Sequence, residues 1–101
     1  MNKDAYNHIV ATAASFEEHS GYSYSSVVGV LRVIIFMYTE FSVEELNDWE
    51  TYTIGLSMTE KDHEFMGEIM DYLTAHAVNT TELLGTLLMA QQKCMAHIDP
   101  N

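Results

Sequence analysis

The chain has 101 residues, of which 48% are hydrophobic, and 15 acidic residues against 4 lysines and arginines give a net charge of −11. This composition argues against intrinsic disorder, and the length suits one helical domain spanning residues 1–101. The negative charge argues against direct binding to nucleic acid or to an anionic membrane, because both need a basic face. A single cysteine excludes an internal disulfide framework and a cysteine-rich zinc module.

The first two predicted elements are helices. The first covers about residues 4–20, where apolar side chains recur at helical spacing, and Gly21 can end it in the left-handed conformation. The second covers about residues 25–40, can be capped by Ser25 or Ser26 and is apolar nearly all round, which indicates a central, buried helix. Many of its residues are β-branched, so a buried strand over residues 27–37 is the alternative. The length of the segment favours the helix.

Three further helices are predicted after the second. Ser42 and Glu45 have the spacing of a capping box, and Gly55 lies among weak helix formers where this third helix ends. The fourth helix is expected over about residues 59–77, and the fifth over about residues 79–98. We therefore predict an all-α fold, a compact bundle of four to five helices with the apolar second helix at its centre.

The last predicted helix carries an apolar stripe that we expect to face the core. Its members recur at spacings of three and four residues. They are Leu84, Leu87, Leu88, Gln91, Cys94, Met95 and Ile98. Cys94 is interpreted as a packing residue, because a nucleophilic cysteine needs a nearby base and an orienting group. His97 is close enough in sequence to touch it, but no third group completes such a site.

Acidic residues concentrate in the middle of the chain, where ten of them stand against Lys61 alone between residues 40 and 71. Acids spaced three or four residues apart share one face of a helix, so two anionic rows are expected. The predicted partner-binding residues are Glu40, Glu44 and Asp48 in the first row, and Glu60, Glu64, Glu68 and Asp71 in the second. Such rows fit a basic protein surface, because they match the phosphate rows of duplex DNA in sign and density.

In net charge and length, the chain resembles the small acidic proteins that phages and mobile elements direct against host defences, such as anti-restriction and anti-CRISPR proteins. The resemblance implies a DNA-mimicking inhibitor of a nucleic-acid-handling complex, whose partner presents a basic surface. Two other interpretations stay open. The acids can serve solubility only, or the chain can be a helical homodimer or adaptor that binds through apolar contacts.

One histidine lies in a pattern typical of metal sites. Glu60-x-x-His63 has the spacing that di-iron bundles place on inward-facing helices, but such sites need a second motif and two further glutamates. We interpret His63 as a surface residue and expect no metal, no cofactor and no enzymatic activity. No signal-peptide pattern opens the sequence, and the apolar run over residues 27–38 is shorter than the roughly 20 residues of a membrane span. A cytoplasmic protein is expected.

Overall fold

The computed structural model describes residues 1–76 and 79–98, which form six helices and, within these ranges, no strand. They are α1 (Lys3–Ser20), α2 (Tyr24–Glu40), α3 (Val43–Asn47), α4 (Trp49–Thr53), α5 (Glu60–Ala75) and α6 (Thr80–Met95). The predicted all-α bundle is confirmed, and residues 27–37 are helix rather than strand. The third predicted helix is divided at Asp48 into α3 and α4. The predicted end of the fourth helix, at residue 77, lies outside the described residues.

Local side-chain chemistry fixes the helix ends. Gly21 ends α1 with φ 66°, and its N–H donates to the carbonyl of Glu17. The predicted capping box of Ser42 and Glu45 begins α3, with bonds of 3.0 and 3.3 Å. The cap of α2 is Ser23, two residues earlier than the serine pair expected from the sequence. The backbone N–H of Ser26 donates to the hydroxyl of Ser23 at 3.1 Å.

The core lies among the four long helices. α2 packs most extensively against α6 and also contacts α5 and α1, while α1 packs on α6 and α5. α2 therefore contacts every other long helix, and six of its residues are buried. It is not buried all round, as its composition had indicated, because the side chain of Phe36 remains 57% exposed. A second apolar face of α2 is thus turned away from the core.

The buried stripe of α6 differs from the predicted one. Leu87 and Cys94 are buried as expected, but Leu88, Met95 and Ile98 are exposed by 50, 43 and 42%. The expected stripe was therefore wrong at these three positions. The residues of α6 that face the core are Leu83, Thr86, Leu87, Ala90 and Cys94.

Thr86 explains why the core face of α6 differs from the predicted stripe. Its hydroxyl is fully buried, and it donates to the carbonyl of Glu82 at 2.8 Å and accepts from the backbone N–H of Asn2 at 2.8 Å. A buried hydroxyl with both partners carries little penalty, whereas hydrophobic patterning places a threonine outside the core. The bond to Asn2 also ties the first residues of the chain to α6.

No helix of the described residues is both long and apolar enough to cross a membrane.

Candidate functional site: an acidic cleft between α4 and α5

An open cleft of about 620 Å³ lies between α4 and α5, and we call it the acidic cleft. Five of its lining residues carry carboxylates, and the other three are an indole, an imidazole and a glycine. They are Trp49 and Glu50 from α4, and Glu60, His63, Glu64, Gly67, Glu68 and Asp71 from α5. The cleft thus gathers a third of the acidic residues of the chain on one concave surface.

The sequence of α5 sets the orientation of this helix. Its apolar side chains, among them Phe65 and Ile69, are buried on one face, and its acidic row from Glu60 to Asp71 is exposed on the other. Successive acids along the outer face rise by about 6 Å, from about 1.5 Å per residue. α5 begins at a second capping box, in which Thr59 and Asp62 bond each other's backbone N–H at 2.9 and 3.1 Å. The cap and the core face together hold the acidic row against the cleft.

A glycine opens the cleft midway along α5. Gly67 lies between the carboxylates of Glu64 and Glu68, and a Cβ built on it meets no atom within 4 Å. Glycine in a helix interior lowers stability by about 0.5–1 kcal/mol relative to alanine. The position therefore leaves space in the cleft at a small cost in helix stability.

One internal cation reaches the cleft carboxylates. The ammonium group of Lys61 lies 2.9 Å from Glu64, and this is the one ion pair among residues 1–76 and 79–98. Both side chains are largely exposed, so the pair contributes little stability. Within that described part of the chain, the carboxylates of Glu50, Glu60, Glu68 and Asp71 have no cationic partner.

Other acids serve the fold rather than the cleft. Asp62 accepts a hydrogen bond from the hydroxyl of Tyr22 at 2.5 Å as well as from the backbone N–H of Thr59. Burial alone would raise the pKa of Asp62, but these bonds outweigh it and lower the pKa below its ordinary range. Glu45 accepts from the hydroxyl of Tyr52 and from the backbone of Ser42, and both bonds lower its pKa.

The structure divides the two predicted acidic rows. The second row, from Glu60 to Asp71, lines the cleft as a group. The first row does not share one face, because Glu40 ends α2, Glu44 lies in α3 and Asp48 separates α3 from α4. These three residues do not line the cleft. The i, i+4 spacing of these three acids crosses helix boundaries, so it places them on no common face.

The cleft also contains residues that the sequence did not assign to partner binding. Trp49 and Glu50 belong to α4, and only the tertiary packing brings them to α5. Gly67 and His63 lie within the predicted row but had no assigned part in it. The attraction of cations to aromatic rings is the signal that could have selected Trp49, whereas no sequence pattern selects Glu50.

This arrangement suits the recognition of cations. Carboxylates form short, charge-assisted hydrogen bonds with guanidinium and ammonium groups. Trp49 adds an aromatic ring to the lining, and cations bind favourably over such rings. The described part of the chain contains no group of three or more histidine, cysteine, aspartate or glutamate side chains that could hold a metal ion. Cys94 is buried, which raises its pKa, and the ring of His97 stacks on Tyr24 at 4.4 Å.

No protein-family model matches the chain, and neither the curated proteins nor the solved structures gave a significant match.

Proposed function

We propose that this protein is a non-enzymatic binding protein that receives a basic segment of a macromolecular partner in the acidic cleft. The observation that supports the proposal is the convergence of five carboxylates from α4 and α5 on one open cleft that Lys61 alone partly neutralises. A segment rich in arginine or lysine gains charge-assisted hydrogen bonds there, and its approach is accelerated by the net charge of −11.

The favoured partner is a protein that handles nucleic acid. Such proteins present lysines and arginines to phosphates, and they are the usual source of an extended basic surface. A protein whose basic surface is occupied by the cleft loses access to its nucleic acid. The proposed activity is therefore inhibition by competition, so that duplex DNA and this protein should displace one another from the partner.

Two matched charge variants test the proposal. Glu68→Lys with Asp71→Lys reverses two cleft carboxylates that have no ion-pair partner in the described residues, and it avoids the first turn of α5. Glu17→Lys with Glu18→Lys makes the same change near the end of α1, outside the cleft. Each change adds two charge units, so both variants move from −11 to −7. All four substituted acids are exposed, and lysine favours a helix about as well as glutamate, so neither variant should lose its fold.

The assay immobilises wild type and both variants and passes an extract of the source cells over each. We expect a protein that is retained by wild type and by the α1 variant, is lost from the cleft variant, and is eluted by duplex DNA. Equal retention on all three columns would contradict the proposal, because it would show that the cleft is not the contact. Loss from both variants would show that only the overall charge matters.

A further inference from the structure

A second concave surface, which we call the apolar groove, lies between α2 and α4 and has a volume of about 410 Å³. Its lining residues are Arg32, Val33, Phe36, Met37, Phe41, Tyr52, Thr53 and Leu56. None of these residues is acidic, although the chain carries a net charge of −11. The groove therefore differs in character from the acidic cleft and shares no lining residue with it.

The rim of the apolar groove exposes more apolar surface than the fold requires. Phe36, Tyr52 and Leu56 are exposed by 57, 42 and 46%. Phe41 packs against two of them, because its ring lies edge-on to Phe36 at 5.8 Å and 4.3 Å from the ring of Tyr52. Exposed apolar patches of this kind mark interaction sites on soluble proteins. The second apolar face of α2 thus forms a shaped surface.

We propose that the apolar groove binds a short amphipathic helix of a partner protein, whose apolar side chains enter the groove and whose carboxylate pairs with Arg32. This occupant is inferred from charge complementarity. Arg32 lies one helical turn before Phe36 and is exposed, and no carboxylate of the described residues pairs with it. A guanidinium beside an apolar surface favours a carboxylate at the edge of an apolar segment and repels a basic one.

A second copy of this chain fits the groove less well. From the exposed fractions, the three rim side chains offer roughly 300 Å² of surface, against the roughly 800 Å² per partner of a stable interface. Two copies would also bring two net charges of −11 together, and these repel each other. A helix that inserts anchors at positions i, i+4 and i+7 needs far less surface.

The test selects binders from a displayed library of helical peptides, with the full-length protein as bait. Binders of a Phe36→Ser variant are removed first, so that peptides bound elsewhere, including the acidic cleft, are discarded. Phe36 is mostly exposed, so this variant should keep its fold, and Leu56→Ser on the opposite rim serves as a second groove variant. The selection is then repeated with Arg32→Glu as bait.

We expect wild type to enrich peptides with apolar anchors at helical spacing and a glutamate or aspartate beside them. Arg32→Glu should enrich lysine or arginine at that position, and exchanging the charge in a selected peptide should change its affinity about two- to fivefold. No enrichment over the Phe36→Ser bait, full affinity for Leu56→Ser, or the same charge preference for wild type and Arg32→Glu would overturn the proposal. A wild-type dimer that Phe36→Ser converts to monomer would also overturn it, because a second copy would then be the occupant.

Discussion

The hydrogen bond between Tyr22 and Asp62 offers a sharp test of how α5 is held in position. Tyr22 lies between α1 and α2 and is 7% exposed, whereas Asp62 lies in the first turn of α5, so their bond joins the α1–α2 connection to α5. Tyr22→Phe removes the hydroxyl and keeps the ring, which packs on Phe65 at 5.5 Å. Any loss of stability then reports the hydrogen bond rather than the packing.

The expected loss follows from what Asp62 keeps. Hydrogen bonds to charged groups contribute about 1.5–3 kcal/mol, but Asp62 is only half-buried and retains the backbone N–H of Thr59, so the lower end applies. We predict that Tyr22→Phe lowers the free energy of unfolding by about 1.5 kcal/mol, which lowers Tm by about 6–12 °C in a domain of this size. Thermal and urea unfolding followed by circular dichroism measure both quantities.

The pH dependence of stability gives the same bond a second signature. Burial, and then the bond to Asp62, raise the pKa of Tyr22 far above its ordinary 10.0. The folded state therefore holds this proton more tightly, and its stabilisation is complete below pH 10 and is lost as the pH rises beyond it. The lowered pKa of Asp62 acts oppositely, since its contribution is present above its ordinary 3.8 and is lost as the pH falls further.

Tyr22→Phe should remove the alkaline part of this loss, whereas Asp62→Asn should remove the acidic part. In a double-mutant cycle, the two changes should be less than additive, because either one breaks the same bond. A change in the free energy of unfolding below about 0.3 kcal/mol for Tyr22→Phe, or additive effects in the cycle, would refute the assigned bond.

Two further predictions test the core and the cleft floor. Leu87→Ala should lower the free energy of unfolding by about 2–5 kcal/mol through cavity formation, whereas Leu88→Ala, at a half-exposed position, should lower it by under about 1 kcal/mol. Equal losses of the two variants in urea unfolding would contradict the orientation of α6. Gly67→Ala should raise the free energy of unfolding by about 0.5–1 kcal/mol, because alanine favours a helix interior by that amount and the new methyl group meets open space in the cleft. A lower free energy of unfolding in the same assay would show that this space is not free.

The local features of this fold could be predicted from the sequence. Gly21, the capping box of Ser42 and Glu45, and the acidic face of α5 each depend on residues within one or two helical turns, and all three occur as expected. Features that depend on partners distant in sequence were missed. The bond between Asn2 and Thr86 spans 84 residues, and it allows a polar side chain to occupy the core face of α6.

The acidic cleft was half predictable for the same reason. The row along α5 follows from helical spacing alone, but Trp49 and Glu50 enter the site because the fold places α4 and α5 on either side of one open cleft. The row from Glu40 to Asp48 was expected on one face and crosses two helix boundaries instead. Likewise, the apolar residues of α2 indicated burial on every side, whereas hydrophobicity does not distinguish a core face from an exposed groove.

Binding of a basic partner in the acidic cleft is tested most directly by affinity measurements. The affinity of the purified partner for wild type and for the two matched charge variants is measured at several salt concentrations. Glu68→Lys with Asp71→Lys should weaken binding about 100-fold or more, because two attractive contacts become repulsive. Glu17→Lys with Glu18→Lys should stay within about threefold of wild type, since it changes only long-range attraction. Equal affinities of the two variants, or wild-type binding that does not weaken as salt increases, would contradict the claim.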